Sequence, residues 1–527
     1  MANVDFEPKI LSDYFNQITR YSHPSGKEDA IRTWVINSVK SIIGKYPDDN
    51  RKNISIIEYN PDAIQDNTTN PGLRNIFLRR DGSSQLSGMT PVILQAHMDM
   101  VTVPSADIFP LNLSEYTDGT NKWLRADNTT LGADDGIGVA TILSVLEDED
   151  LKDIPLECLF TVQEETDMGG AENFDVTLLR GKKYINLDAE DLNVIIYGSA
   201  GGCSTTYKSK ISYNTEDLKN YQTFTITVEN LKSGHSGIDI NKCRLNAVKA
   251  VAEVLARLDK RLNNISPEGS INSYDLIIHD ILRTETEPKP NAIPANCMAV
   301  VSVPLECSLD FYSDANILLN LMKQSSQPVE STFECSVKRS TAGNLKPMSK
   351  AFTDSLLNLL NQLPDGVVKM IEDNPDIVET STNLFNVAIT GDEITVYSSN
   401  RSSSDSSLDF LNNIQINIGN CHGFTVDTNK DRYPAWQPNS DSQLLKDIAF
   451  PAYQRKYQDK AEKTVIHAGL ECSWIVSKSN DIDCISIGPT IQNPHTKTER
   501  LLLEYDGKQA VVAYYEVLKE ILANIFK

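Results

Sequence analysis

Several short segments of the chain close apolar runs with histidine and carboxylate side chains. "QAHMDMV" carries His97 and Asp99, "TVQEETDMGG" carries Glu164 and Glu165, and "INLDAED" carries Asp188. "LGADDGIGVA" carries Asp134 and Asp135, and "NPHTKTERLLLEY" places His495 in a loop expected to lead into a helix. Residues two apart on a strand share a face, so Asp99 can receive the imidazole proton of His97 and orient that ring as a metal ligand. Adjacent glutamates ordinarily face solvent. Glu164 and Glu165, however, follow the apolar "LECLFTV" and precede Gly169 and Gly170, the pattern of a sheet mouth. One of them could bind metal while the other acts as general base on a bound water. Asp134 and Asp135 sit side by side among glycines and small apolar residues, a costly place for like charges unless a cation offsets them.

Imidazole and carboxylate without thiolate suit Zn2+ and also admit Mn2+ or Co2+. Two histidines and three carboxylates suffice for two ions if one carboxylate bridges. Ions paired about 3.5–4 Å apart are the arrangement of aminopeptidases and related hydrolases.

These residues need a scaffold, and the chain reads as one. Its 527 residues exceed a single ordinary core, so two or more domains are expected. Hydrophobic residues at 40% and charged residues at 23% fit a soluble globular protein. A net charge of −23 argues against nucleic acid and anionic membranes as partners, since both need basic patches. No apolar run approaches the ~20 residues of a bilayer span. The first residues, "MANVDFEPKILSDYFNQ", lack the basic and apolar regions of a secretory signal. Nine scattered cysteines form no CxxC pair, which points to thiols in a reducing compartment, and the cytoplasm is expected.

Residues 1 to about 45 show helical spacing. Strands alternate with turns through "PVILQAHMDMV", "GIGVATILSVLED" reads as a buried helix, and "LECLFTVQEE" and "KYINLD" as strands. The texture changes near residue 198. From 200 to 404, strands such as "YQTFTITVENL", "SYDLIIHDIL" and "CMAVVSVPL" mix with the helical "RLNAVKAVAEVLARLDKRLNN". "LFNVAITGDEITVYSSNRSSS" reads as a strand pair about a Gly-Asp turn. The expected organisation is an α/β domain from 1–199 and 405–527, interrupted by an inserted α+β domain, 200–404.

At these residues the sequence resembles the M20 metallopeptidase family, in its aminoacyl-histidine dipeptidase branch. The resemblance covers nearly the whole chain. It rests on "HMDMV", "TTLGADDGIGVA", "FTVQEETDMGGAENFD", "YINLDAED", "GSAGG", "LKSGHSGIDI", "NAIPA", "VETSTNL", "RSSS", "HAGLECS" and "ISIGPTI" followed by a histidine, in matching order. It implies a di-zinc catalytic domain with a mixed central sheet flanked by helices, and an inserted lid. It implies that His97 and Asp188 bind one zinc, Glu165 and His495 the other, and that Asp134 bridges. Asp99 would then orient His97, and Glu164 would be the general base. His235 of "GHSG" would stabilise the oxyanion, and Arg401, Asn291 and His467 become candidates for the substrate pocket. A cis peptide between Asp134 and Asp135 is also implied, with Asp135 hydrogen-bonded behind the ligands. The implied activity is hydrolysis of small peptides, Xaa-His dipeptides such as carnosine first among them, by a homodimer.

Other readings fare differently. "GHSG" is not a serine-hydrolase elbow, because GxSxG needs glycine where Ile238 stands. "DNTTLGADDG" lacks the alternating oxygen ligands of an EF-hand, and "GSAGG" is followed by no GKS or GKT. His23, His279 and His422 read as surface or structural. Departures from the family pattern, among them Asn241, Phe385 and "HTKTER", spare every implied ligand. They leave open a broader di- or tripeptidase or an N-acyl amino acid amidohydrolase. A catalytically inactive binding protein of the same fold has no need of the complete ligand set.

Overall fold

A computed structural model of the chain describes residues 4–45, 54–58, 74–104, 108–215, 217–259, 272, 274–285, 288–372, 374–439 and 441–527. The fold divides into two units. The first comprises Met1–Ser199, Trp436–Ile466 and Leu470–Lys527; the second comprises Ala200–Ala435 and His467–Gly469.

The first unit is built on an eight-stranded mixed sheet. Its middle is parallel: Leu156–Thr161, Val92–His97, Lys183–Asn186 and Asp483–Ser486 lie side by side in that order. Every residue of Val92–His97 and Leu156–Thr161 is buried. That explains why these strands are near-continuous apolar runs rather than alternating ones, as expected of a sheet covered on both faces. One cover is the helix Ala133–Glu147, buried from Ala133 through Leu146. Such all-round burial requires a largely apolar helix, and "GIGVATILSVL" supplies it, the buried Thr141 and Ser144 hydroxyls donating to the carbonyls of Ile137 and Ala140. Helix Lys9–Ile18 packs on its outer side, where Phe15 and Ile18 approach Gly136. A smaller sheet, Ile491–Gln492, Arg500–Tyr505, Asn121–Ala126 and Leu113–Asp118, completes the unit.

The parallel arrangement decides where chemistry can sit. Strands running the same way end at one edge, and His97 closes its strand opposite Thr161. Glu164 and Glu165 follow Thr161, and Asp188 follows Asn186, so three strand ends deliver four candidate residues to one rim. Crevices at the carboxyl ends of strands are the usual ligand sites of open α/β sheets. His495 arrives differently from the sequence expectation. Its loop leads into the strand Arg500–Tyr505, not a helix, because "RLLLEY" pairs antiparallel with Asn121–Ala126.

The second unit holds two antiparallel sheets with their own core. One runs Ile277–Arg283, Cys297–Pro304, Tyr221–Glu229, Glu334–Ser340; the other runs Gly366–Ile371, Asn374–Thr390, Glu393–Ser402, Gly201–Lys210, Thr425–Tyr433. Asn374–Thr390 and Glu393–Ser402 form the expected strand pair. The expected helix from "RLNAVKAV" onward is Ala247–Leu258, capped by the Asn246 side chain on the N–H groups of Val248 and Lys249. Residues 260–264 of that expectation lie outside the described residues.

The unit runs past the expected boundary at 404, as far as Ala435. "RSSSDSS" is a helix start, not a linker: the Ser404 hydroxyl accepts the N–H of Ser407 at the head of Asp405–Cys421. The chain then returns as Thr425–Tyr433 to pair with Gly201–Lys210. Among the described residues no helix is long and apolar enough to cross a membrane.

Two glycines shape the turn before the buried helix. Gly132 has φ +69°, a left-handed conformation that glycine adopts at no steric cost. Gly138 gives room to Asp135: a Cβ there would lie 2.3 Å from the Asp135 carboxylate, whose Oδ1 accepts the Gly138 N–H. Gly138→Ala is therefore expected to destabilise the protein by about 1–3 kcal/mol. Denaturant unfolding measures this, and an unchanged midpoint would show that the close approach carries no cost.

Candidate metal centre

The first unit gathers His97, Asp99, Asp134, Asp135, Glu164, Glu165, Asp188 and His495. His97 Nε2 lies 3.0 Å from Asp134 Oδ1 and 3.5 Å from Asp188 Oδ1. His495 Nε2 lies 3.0 Å from Asp134 Oδ2 and 2.8 Å from Glu165 Oε2. Asp134 thus turns one oxygen to each imidazole. In the groups His97–Asp134–Asp188 and Asp134–Glu165–His495, the candidate ligand atoms lie within 4.8 Å of one another. A further group, His97–Glu164–Glu165, meets the same limit. Ligands held ~2.0–2.2 Å from a common ion are spaced in this way. Glu165 Oε1 is buried with no hydrogen-bond partner, an acceptor waiting for a positive charge. The residues therefore fit divalent cations.

The backbone around these side chains is held by other carboxylates. Asp99 Oδ1 and Oδ2 accept the N–H groups of Glu164 and Glu165 at 3.0 and 3.1 Å, and Oδ2 also accepts the Ser25 hydroxyl. The His97 ring meets Asp99 mainly through the main chain: Nδ1 is 2.9 Å from the Asp99 carbonyl and 3.6 Å from its carboxylate. The expected orienting contact therefore comes from the carbonyl, because the carboxylate is occupied with the Glu164–Glu165 turn. Asp135 Oδ2 accepts the N–H of His97 at 3.2 Å, which places Asp135 behind the candidate ligands. The Asp134–Asp135 peptide is cis.

The second unit gathers His235, Asn291, Arg401 and His467. His235 Nδ1 accepts the N–H groups of Gly237 and Ile238, both at 3.1 Å, so the ring proton resides on Nε2. Asn291 is exposed, and its carbonyl accepts the Ser236 N–H. Arg401 Nη1 donates to the Tyr433 hydroxyl at 3.0 Å, while its Nε is buried without a partner. His467 is buried and its Nε2 lies 2.7 Å from the Ser381 hydroxyl. Burial, then Arg401 and His235, push its pKa down to about 3, so the ring is neutral.

The chain is 29% identical over 523 residues to the cytosol non-specific dipeptidase of Escherichia coli K12, covering 98% of each. Its fold matches the crystal structure of the aminoacylhistidine dipeptidase of Vibrio alginolyticus with a TM-score of 0.79, 25% identity, and coverage of 99% and 98%. No family model matches the chain. Over nearly its whole length the chain is thus similar to dipeptidases, in keeping with the resemblance to M20 metallopeptidases. It is a hydrolase, a metal-dependent dipeptidase. The tripeptidase of Staphylococcus aureus shares the fold more distantly, with a TM-score of 0.51 at 13% identity and coverage of 99% and 100%.

The electrostatics suit a metal centre. Burial pushes the carboxyl of Glu165 up to about 7 and that of Asp188 to about 6, and it raises Glu164 and Asp135 well above the ordinary range. Burial also opposes charge on His97 and His495, but the carboxylates outweigh it. Asp188, Asp134 and Asp99 raise His97, and Asp134 and Glu165 lift His495 to about 11. Asp134 is held far below the carboxylate range, since the two imidazoles outweigh its burial. Without cations, protons bind in their place.

Three residues escape the sequence reading. Ser25, in "HPSG", braces Asp99. Glu471, inside the apolar "AGLECSWIV", is fully buried; its Oε2 accepts the Thr161 hydroxyl and the Gln95 amide, and burial lifts its carboxyl to about 8. Glu499, four residues after His495, is also buried. A lone carboxylate within an apolar run was the available signal for Glu471. His23 and His279 are buried structural residues, and His422 is partly buried, with its Nε2 3.0 Å from Gln362.

The shifts fix a pH dependence. In the ion-free protein Glu165 and Asp188 have raised pKa values, so their favourable contribution is present in acid and is lost as pH rises through about 6–7. Cations compete with those protons and replace that contribution above the window. Adding a chelator should lower the Tm by more than about 5 °C at pH 7.5 and by much less at pH 5.5. Calorimetry with and without chelator checks this, and equal shifts at the two pH values would contradict it.

Proposed function

We propose that the protein hydrolyses the peptide bond of dipeptides, with Xaa-His substrates of the carnosine type favoured. The observation that carries the proposal is the Asp134 carboxylate, one oxygen toward His97 and one toward His495. His97, Asp134 and Asp188 would hold one Zn2+, and Asp134, Glu165 and His495 a second. Bound divalent ions lower the pKa of water and polarise a carbonyl. Glu164 takes the proton of the attacking water and delivers it to the leaving amine. Its place in the cluster supports that role: its backbone is fixed by Asp99, and its side chain can approach both His97 and Glu165. Asp99 keeps the Glu164–Glu165 turn and the His97 ring in register.

The second unit carries the recognition residues in this proposal. His235 donates its Nε2 proton to the developing oxyanion, as the acceptor role of Nδ1 supports. Arg401, anchored by Tyr433, binds the free carboxylate, for which a guanidinium fork is suited. Asn291 and the neutral His467 contribute polar contacts. The protein acts as a cytoplasmic homodimer; exposed Leu305, Leu309, Tyr312 and Leu321 support pairing of copies.

A broader di- or tripeptidase is the second reading, favoured by the "non-specific" designation of the Escherichia coli relative. Hydrolysis rates on Ala-His, β-Ala-His, Leu-Gly, a tripeptide and an N-acyl amino acid separate the two. Xaa-His preference predicts that kcat/KM for the His-containing dipeptides leads by tenfold or more. Comparable rates on Leu-Gly would favour the second reading. Glu164→Gln should retain its metals and lose about 10²–10⁴-fold in kcat. A variant with near-wild-type kcat would remove Glu164 from the role of base.

A further inference from the structure

Glu499 stands four residues beyond His495 and has no assigned task. Its side chain is 2% exposed. The carboxylate receives three successive backbone N–H groups: Leu131 at 2.8 Å and Gly132 at 3.1 Å on Oε2, and Ala133 at 2.8 Å on Oε1. Those residues are the approach to Asp134, at the head of the helix Ala133–Glu147. A buried carboxylate is costly unless its oxygens are satisfied, and here three successive backbone donors satisfy them. Among the described residues no lysine or arginine pairs with Glu499; the backbone is its partner. The chain distance is long: Glu499 and Ala133 are separated by 366 residues in sequence.

This joins two segments that each end in a candidate ligand. The loop from Ile491–Gln492 to Arg500–Tyr505 presents His495, and the turn before the helix presents Asp134. His495 Nε2 lies 3.0 Å from Asp134 Oδ2. Apart from that ligand contact, the Glu499 carboxylate is a direct tie between the two segments.

We propose that Glu499 is a positioning residue that sets the Asp134–His495 half of the metal centre. It touches neither ion nor substrate. By fixing three peptide groups of the Asp134 turn from within the His495 segment, it holds the two ligands at the spacing one cation requires. The proposal rests on the two-ion reading given above. A purely structural brace would contribute to stability alone. A positioning residue must also weaken ion binding, most at the site that holds both Asp134 and His495, and outer hydrogen-bond partners of metal ligands typically contribute 10–100-fold in affinity.

The test is a titration of metal-free full-length protein with Zn2+ against a competing chromophoric chelator, for wild type, Glu499→Gln and Glu499→Ala, with the Tm of each ion-free protein measured alongside. The expected result is two bound ions in the wild type. In both variants one ion should bind at least tenfold more weakly than in the wild type, and the other should be weakened less. Glu499→Gln keeps the size of the side chain, so it gives the answer if Glu499→Ala does not fold. If the wild type binds two ions and Glu499→Gln binds both with unchanged affinity, whatever its Tm, the positioning role is wrong and the metal reading stands. If the wild type itself binds fewer than two ions, the metal reading fails and the proposal falls with it.

Discussion

Everything around the site depends on one carboxylate placed between two imidazoles. Asp134 is buried, and its two oxygens lie at the same distance, 3.0 Å, from rings that belong to residues 97 and 495. A single acid can serve two cations only if its backbone is fixed to within a fraction of an ångström, because both ligand sets are then set by its position. The Asp134 turn, its glycines and the apolar helix behind it answer to that requirement.

The fixing is done by cross-bracing. The segment of His97 supplies Asp99, which holds the N–H groups of Glu164 and Glu165. The segment of Asp134 supplies Asp135, which holds the N–H of His97. The segment of His495 supplies Glu499, which holds the peptides before Asp134. Each of these segments, which carry the candidate ligands, is thus tied to the next by a carboxylate that need not be a ligand itself. Asp188 is braced more gently: its N–H lies 3.3 Å from Asn186 Oδ1, and Asn186 in turn donates to Gln95 beneath His97. The arrangement concentrates negative charge in a buried space. That density makes the site a poor structural core without cations and a good one with them.

Much of this was legible in the sequence because chemistry sets residue type. His97, Glu164, Glu165 and Asp188 end apolar strands, and a polar pair at the end of a fully buried strand is conspicuous. The parallel strands themselves were readable as near-continuous apolar runs. Less legible were features set by tertiary pairing. "RLLLEY" has no strict alternation, so its identity as a strand follows only from its partner Asn121–Ala126. "RSSSDSS" has the composition of a linker, and only the helix that follows shows Ser404 to be a cap. Glu499 looks like any charged residue in a polar loop until the Asp134 turn, hundreds of residues away, is folded against it. Asp99 was readable as a support for the His97 ring, but the choice between its carbonyl and its carboxylate needed the geometry of the neighbouring turn.

Diffraction from crystals grown with Zn2+, recorded on both sides of the zinc absorption edge, tests the central claim most directly. Two anomalous peaks about 3.5–4 Å apart are expected, one on each oxygen of Asp134, with His97 and Asp188 at one and Glu165 and His495 at the other. A single peak, or two peaks that do not share Asp134, would contradict it.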